Sequence, residues 1–238
     1  MSRFMIVGLP RSGTTYLMSL LNSHKEVLCA GEQFNPHSII DTNGAQRERA
    51  DLVARDADPV GFLNDFYASR TGQAKAVGCK WMIGHHLEIL NHIPTDPELR
   101  LIYVWRENKL AQTASLLKAL KTRQWATRHA DRVDDSPIDA GPFQVMQRAR
   151  EAQIQDATFQ SWLAQVPNPV LTCEYRAMFE PGFEEKLCDY LGVPFDPEMR
   201  SPLVKQGSSD ILARFEKKKA VAAYFTQIGR ADWLEPEI

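Results

Sequence analysis

Short apolar runs alternate along the chain with longer segments in which apolar residues recur every three or four positions. The short runs predict strands at 3–8, 27–29, 76–81, 99–105 and 169–173. The helical spacing predicts helices at 13–23, within 37–73, and at 110–121, 143–165 and 183–191. This alternation favours an α/β fold with a central, mainly parallel sheet, helices on both faces, and ligands at the carboxyl ends of the strands.

One polar stretch interrupts this pattern at 122–142, where Asp134-Asp-Ser-Pro137 and Gly141-Pro142 are typical of a loop. We interpret it as an exposed loop or a lid. The rest of the chain shows no repeat or low-complexity segment, and 238 residues are enough to bury a sizeable core. We therefore predict a single domain spanning 1–238.

Composition excludes several classes of function. A formal net charge of −2 gives no basic footprint for nucleic acid, so any anion site must be local. The cysteines are far apart and form no C-x-x-C pair, which favours buried thiols in a reducing compartment (Cys29, Cys79, Cys173 and Cys188). No apolar stretch approaches the ~18 residues of a membrane span, and the first residues lack the order of a signal peptide. We expect a cytoplasmic protein.

The first strand leads into a turn bounded by Gly8 and Gly13, and the next helix opens with Thr14 and Thr15. Backbone N–H groups of such a turn and the positive end of the helix converge on one anion, so the segment predicts a phosphate cradle. The nucleotide-hydrolysing pattern G-x-x-x-x-G-K-[ST] would place lysine where Thr14 stands. Arg11 supplies a fixed positive charge inside the turn instead.

A second anion site is indicated by Arg106, at the end of a buried strand, and Ser115, nine residues later on the following helix. Judged alone, these two residues could equally well have no binding role: an arginine that ends a strand and a serine on the surface of a helix. Two anion sites at two strand ends of one sheet suit a nucleotide with phosphates at both its 5′ and 3′ positions.

The segment Leu9–Tyr16 resembles the 5′-phosphosulfate loop of sulfotransferases that use 3′-phosphoadenosine-5′-phosphosulfate (PAPS), and Arg106…Ser115 resembles their 3′-phosphate site. Gly31-Glu32-Gln-Phe34 and the segment 109–116 are similar to the bacterial trehalose-sulfotransferase-like branch. The resemblance implies a P-loop-like three-layer fold, PAPS as donor and 3′-phosphoadenosine-5′-phosphate (PAP) as product. It implies these cofactor-binding residues: Pro10, Arg11, Ser12, Gly13, Thr14, Thr15, Tyr16, Arg106, Ser115, Tyr175 and Lys205.

The chain departs from the animal cytosolic enzymes of this superfamily, many of which carry K-x-H, with a histidine base, where Lys80-Trp81-Met82 stands here. In the trehalose-type branch a glutamate after the second strand is the base, and Glu32 occupies the matching place. We therefore expect Glu32 to be the general base, aided by partial burial that raises its pKa, and Arg11 to stabilise the leaving group. The Glu32 carboxylate would lie near the sulfuryl group held at 8–15 if the second strand lies beside the first, as connection rules favour.

The expected acceptor is a hydroxyl of a carbohydrate or glycolipid-type molecule. The residues expected to bind it are Glu32, Phe34, Lys80, His85, His86 and Trp125. A sulfuryl group carries less charge than a terminal phosphoryl group, so we expect no metal ion. The acceptor's identity and the formation of homo-oligomers stay open.

Two other classes of function remain open on the residues alone. One is a P-loop kinase or nucleotide hydrolase with an atypical loop, which would need a metal-binding carboxylate at a strand end. The strand ends offer Lys80, Arg106 and Glu174 instead. The other is a nucleotide-binding module without catalytic activity, against which the retention of both Glu32 and Arg106…Ser115 counts.

Overall fold

The computed structural model describes residues 1–42, 44–126, 134, 136–204 and 207–237. Its strands are β1 (Ser2–Gly8), β2 (Val27–Glu32), β3 (Ile39–Asp41), β4 (Gly44–Gln46), β5 (Ala76–Met82), β6 (Arg100–Trp105) and β7 (Val170–Glu174). Its α-helices are α1 (Thr14–Leu21), α2 (Arg49–Ala57), α3 (Pro59–Ala68), α4 (Leu87–His92), α5 (Lys109–Thr122), α6 (Pro142–Leu163), α7 (Phe183–Leu191) and α8 (Lys218–Gln227).

Five strands form one sheet in the order β2-β5-β1-β6-β7, and every pair in it is parallel. The predicted α/β fold is confirmed. The expectation that the second strand lies beside the first was wrong, because β5 pairs with both β1 and β2 and separates them. β1 lies between β5 and β6. The crevice in which such sheets bind ligands therefore opens at the carboxyl end of β1.

Both faces of the sheet are buried, as the near-continuous apolar strands require. In β1, Phe4 and Ile6 pack on one side with α1 and α7, whereas Met5 and Val7 pack on the other with α3, α4 and α6. All four side chains are fully buried. The three-layer arrangement is therefore present.

The segment 37–73 was predicted as helical, and its first part is instead the antiparallel hairpin β3–β4. Asn43-Gly44 is a hairpin signal that the helical spacing further along the segment obscured. Helices α2 and α3 occupy the remainder. Within the predicted loop at 122–142, residues 127–133 and 135 lie outside the described residues, so its role as a lid stays a prediction.

A buried polar network fixes the turn after β6. Asp156 of α6 accepts a hydrogen bond from the Tyr103 hydroxyl (2.7 Å) and forms an ion pair with Lys109, the first residue of α5. The Lys109 ammonium also donates to the backbone carbonyl of Arg106. Because removing one partner would leave a buried charge uncompensated, this network holds Arg106 and the start of α5 in a fixed relation to the sheet.

The four cysteines are buried and unpaired. Burial raises the pKa of each thiol, so they are unreactive packing residues. Within the described parts of the chain, none of the helices has the length and apolar character needed to cross a bilayer.

Candidate functional site

The turn between β1 and α1 has a backbone that requires glycine at one position. Gly13 has φ +109°, and a Cβ there would lie 2.5 Å from Met178 Cε and 2.8 Å from a ring carbon of Tyr175. Ser12 is fully buried and donates to the Leu9 carbonyl (2.9 Å), so its hydroxyl shapes the turn from inside. The chain therefore packs tightly against this turn at Gly13.

Helix α1 begins directly after this turn, and no side chain caps it. The N–H groups of a helix's first turn have no partner within the helix, and they carry the positive end of its dipole. Thr14, Thr15 and Tyr16 form that first turn and line a cavity. Pro10 lies just before it, where its carbonyl accepts a hydrogen bond from Gln112 (2.9 Å). The predicted phosphate cradle thus opens onto this cavity.

The cavity has a volume of about 280 Å³. It collects residues from the loop after β1, the ends of β6 and β7, helix α5 and the segment after α7. They are Arg11, Gly13, Thr14, Thr15, Tyr16, Arg106, Ser115, Trp125, Ala126, Tyr175, Phe179, Leu203, Val204, Gly207 and Arg214.

Three of these described lining residues are arginines, and none is a carboxylate. Burial lowers the pKa of Arg11, and the neighbouring charge of Arg214 lowers it further. Burial also lowers the pKa of Arg214. Positive charges that share a desolvated cavity repel one another, so a bound anion would be attracted there by all three arginines.

Arg106 and Ser115 both line this cavity, but each forms its described hydrogen bonds with other residues. The Ser115 hydroxyl accepts from Arg11 Nε (2.8 Å). Arg106 Nη1 donates to the backbone carbonyl of Arg11 (3.2 Å), and its guanidinium carbon lies 4.3 Å from the centroid of the Tyr175 ring. On its other edge Arg106 forms an ion pair with Glu237.

A second group of residues lies at the end of β2, across β5. Glu32 is the register partner of Lys80, and their charged atoms are 3.2 Å apart. Lys80 is only 4% exposed, and its ammonium also donates to the Thr15 hydroxyl (2.9 Å). Lys80 therefore connects the phosphate cradle, which follows β1, to Glu32 at the end of β2, although β1 and β2 are not neighbours in the sheet.

The carboxylate of Glu32 has further partners. Asn35 donates to its Oε2 atom (2.8 Å), and His85 Nε2 lies 3.9 Å from the same atom. Burial alone would raise the pKa of Glu32, but Lys80, the Asn35 hydrogen bond and His85 together outweigh it and lower that pKa. The expectation of a raised pKa was wrong, because the sequence pattern did not show that Lys80 would lie opposite Glu32.

The position of Lys80 leads to a prediction about pH. If Glu32 is the base, kcat/KM falls as pH drops through its pKa, so the acidic limb should lie below the ordinary range for glutamate. Lys80→Met removes the largest lowering influence and leaves burial, so the limb should move to higher pH. The profile of Lys75→Met, which removes an exposed lysine at the opposite end of β5, is the control. An unshifted limb in Lys80→Met would contradict the assignment of this limb to Glu32.

The remaining predicted acceptor residues are divided between two places. His85 follows β5 beside Glu32, whereas the next residue, His86, has its Nε2 atom 3.9 Å from Asp56. Among the described residues, neither histidine has a hydrogen-bond partner for its buried Nδ1 atom. Phe34 is 1% exposed and packs against Phe62 and the His86 ring, so it supports this group from the core. Trp125 lines the arginine-rich cavity instead, where its carbonyl accepts from Arg11.

Two residues of the site, Arg214 and Glu237, were not among the predicted site residues. Arg214 lines the cavity from a segment with no regular spacing, and its guanidinium is held by the Ser208 carbonyl (2.6 and 2.9 Å). Glu237 reaches Arg106 over a separation of 131 residues, which no local pattern indicates. Lys205 lies outside the described residues. Within the described chain, no group of three or more His, Cys, Asp or Glu side chains is arranged to hold a metal ion.

Comparison with known proteins adds independent findings. Two nodulation H proteins are similar to this chain: that of Rhizobium meliloti (strain 1021) is 33% identical over 143 residues, covering 59% of this chain and 56% of the relative. That of Rhizobium tropici is 30% identical over 132 residues, covering 54% and 51% respectively. The chain thus spans about half the length of these curated relatives.

A sulfotransferase from Alicyclobacillus acidocaldarius has a similar solved structure, with a TM-score of 0.54 over 96% of this chain and 93% of that one. At 13% identity this likeness concerns the fold alone. The profile of the sulfotransferase family matches residues 3–197, which include the cradle, Glu32, Lys80 and Arg106. The chain belongs to the sulfotransferase family.

Proposed function

We propose that this protein transfers the sulfuryl group of PAPS to a hydroxyl of a carbohydrate or glycolipid-type acceptor. The observation that carries the proposal is that Lys80 joins the anion-binding cavity and the Glu32 carboxylate at one edge of the sheet. An arginine-rich cavity begins at the N-terminus of α1, and the buried Lys80 joins that helix to a carboxylate (2.9 and 3.2 Å).

The cavity suits a nucleotide with two separate anionic groups. The first turn of α1 and Arg11 would hold the 5′-phosphosulfate, since unpaired N–H groups and a guanidinium bind phosphate oxygens well. Arg106, Ser115 and Arg214 would hold the 3′-phosphate. Tyr175 lines the cavity beside Arg106, and its ring centroid lies 4.3 Å from the guanidinium carbon.

PAPS, when bound, supplies the sulfuryl group that is transferred, and PAP is the product. Glu32 accepts the proton that the acceptor hydroxyl loses as its oxygen bonds to sulfur, and its lowered pKa keeps it ionised at neutral pH. The Lys80 ammonium lies between Thr15 and Glu32, where its positive charge would stabilise negative charge that develops during the transfer. Arg11 and the α1 N–H groups stabilise the charge left on the departing phosphate.

An acceptor with several hydroxyl groups suits the surroundings of Glu32. The partly exposed His85 imidazole lies 3.9 Å from Glu32 through its Nε2 atom, and such a ring nitrogen can accept or donate a hydrogen bond. Sugar hydroxyls do both. The buried thiols suit a reducing compartment, consistent with the cytoplasm.

Sulfur-labelled PAPS tests this function. We expect label to move to sugar-type acceptors at nearly the same rate with and without excess EDTA, because Arg11 and Lys80 already provide the positive field. ATP labelled at its γ-phosphate is the control and should transfer nothing. Transfer from ATP that requires magnesium would instead support a kinase.

A further inference from the structure

Glu237 is a carboxylate inside the protein: its side chain is 0% exposed. Its Oε1 atom accepts from Arg106 Nε at 2.9 Å, and its Oε2 atom accepts from Arg106 Nη2. This two-point contact fixes both the position and the plane of the guanidinium. A carboxylate so deeply buried requires such a partner, because leaving it unpaired is costly.

The segment that carries Glu237 is anchored at two points. The Glu237 N–H donates to the Ser209 carbonyl (3.0 Å), and the Trp233 carbonyl accepts from Asn108 Nδ2 (3.0 Å). Trp233 is 2% exposed and packs in the core formed with α5, α6 and α8. The carboxylate is therefore presented to Arg106 by a packed segment.

Arg106 lies between the cavity and Glu237. Arg106 lines the cavity, whereas Glu237 is not among the described lining residues. Of its five N–H donors, Arg106 directs one each from Nε and Nη2 to Glu237 and one from Nη1 to the Arg11 carbonyl. Among the described residues, no acceptor takes the other two donors, so an anion in the cavity can bind Arg106 without displacing Glu237.

We propose that Glu237 is a positioning residue that sets the preference of the cavity for a nucleotide carrying a 3′-phosphate, by holding Arg106 in the orientation that receives it. The proposal rests on the proposed function of Arg106. In the opposite arrangement, Glu237 would compete with the phosphate and give up both of its contacts with Arg106 when the ligand binds, which is costly for a fully buried carboxylate. The geometry therefore favours joint binding.

Calorimetric titration with PAP and with AMP, which lacks the 3′-phosphate, tests this role. Glu237→Gln keeps the size of the side chain and removes its charge. We expect PAP affinity to fall at least about tenfold while AMP affinity stays within about twofold. Glu237→Asp keeps the charge but is too short for the two-point contact, so it should lose part of the preference and provides the test if Glu237→Gln does not fold. Glu235→Gln, an exposed position two residues away, is the matched control and should behave as the unmodified protein.

The other outcomes are distinguishable. An unchanged ratio of PAP to AMP affinity in both Glu237 variants, or a higher one, would overturn the positioning role. An equal loss for both ligands would overturn it too, because it would indicate a general structural effect. If the unmodified protein itself does not distinguish PAP from AMP, the proposed function of Arg106 fails and this inference fails with it.

Discussion

Replacing Glu32 by glutamine is expected to lower kcat by about 10²–10⁴-fold, the usual contribution of a positioned general base. Glutamine keeps the shape of the side chain and its contact with Asn35 in reach, but it cannot accept the proton. PAP affinity should change little, because Glu32 is not among the described residues that line the cavity. Single-turnover rates with a competent hydroxyl acceptor, combined with PAP titration, measure both quantities.

Glu88→Gln, which alters an exposed carboxylate at the start of α4, is the control for this substitution. It should leave kcat unchanged. If Glu32→Gln keeps its turnover within about threefold, Glu32 only orders the loop through Lys80 and Asn35. His85, whose Nε2 lies 3.9 Å from Glu32, would then be the next base to examine.

Arg106→Ala should remove most of the preference for PAP over AMP. A charge-assisted two-point contact contributes about 1.5–3 kcal/mol, which corresponds to about 10–150-fold in affinity. Because this variant also leaves the buried Glu237 without its arginine, Arg106→Lys is measured beside it: lysine keeps the charge and lacks the fork.

In both Arg106 variants, the affinity for PAP should fall toward the affinity that the unmodified protein has for AMP. Arg148→Ala, on the exposed face of α6, is the control and should retain the preference. Full retention of the preference in both Arg106 variants would place the 3′-phosphate elsewhere in the cavity, with Arg214 the next candidate.

Features carried by local pattern could be predicted from the sequence. Strand β1, the turn at Gly8–Gly13 and the start of α1 are a contiguous run in which glycine spacing, apolar residues and hydroxyl residues each indicate the same structure. The parallel sheet also follows from the alternation of strands and helices. Arg106, directly after β6, and Glu32, the last residue of β2, lie at the carboxyl ends of strands that the apolar runs indicate.

Features that depend on distant pairing could not be predicted in the same way. Strand β5 enters between β1 and β2, and only this insertion brings Lys80 opposite Glu32 and reverses the expected direction of its pKa shift. Glu237 and Arg214 meet the site through long separations in irregular segments. Spacing rules describe neighbours on one element, and they contain no information about such contacts.

The most direct test of the account is a calorimetric comparison of PAP and AMP binding to the unmodified protein in EDTA-containing buffer. The cavity at the edge of β1 and β6 is interpreted as a site for two anionic groups, with Arg106 assigned to the second. We therefore expect PAP to bind at least about tenfold more tightly than AMP, with one molecule bound per chain. Equal affinity for the two nucleotides would contradict the account.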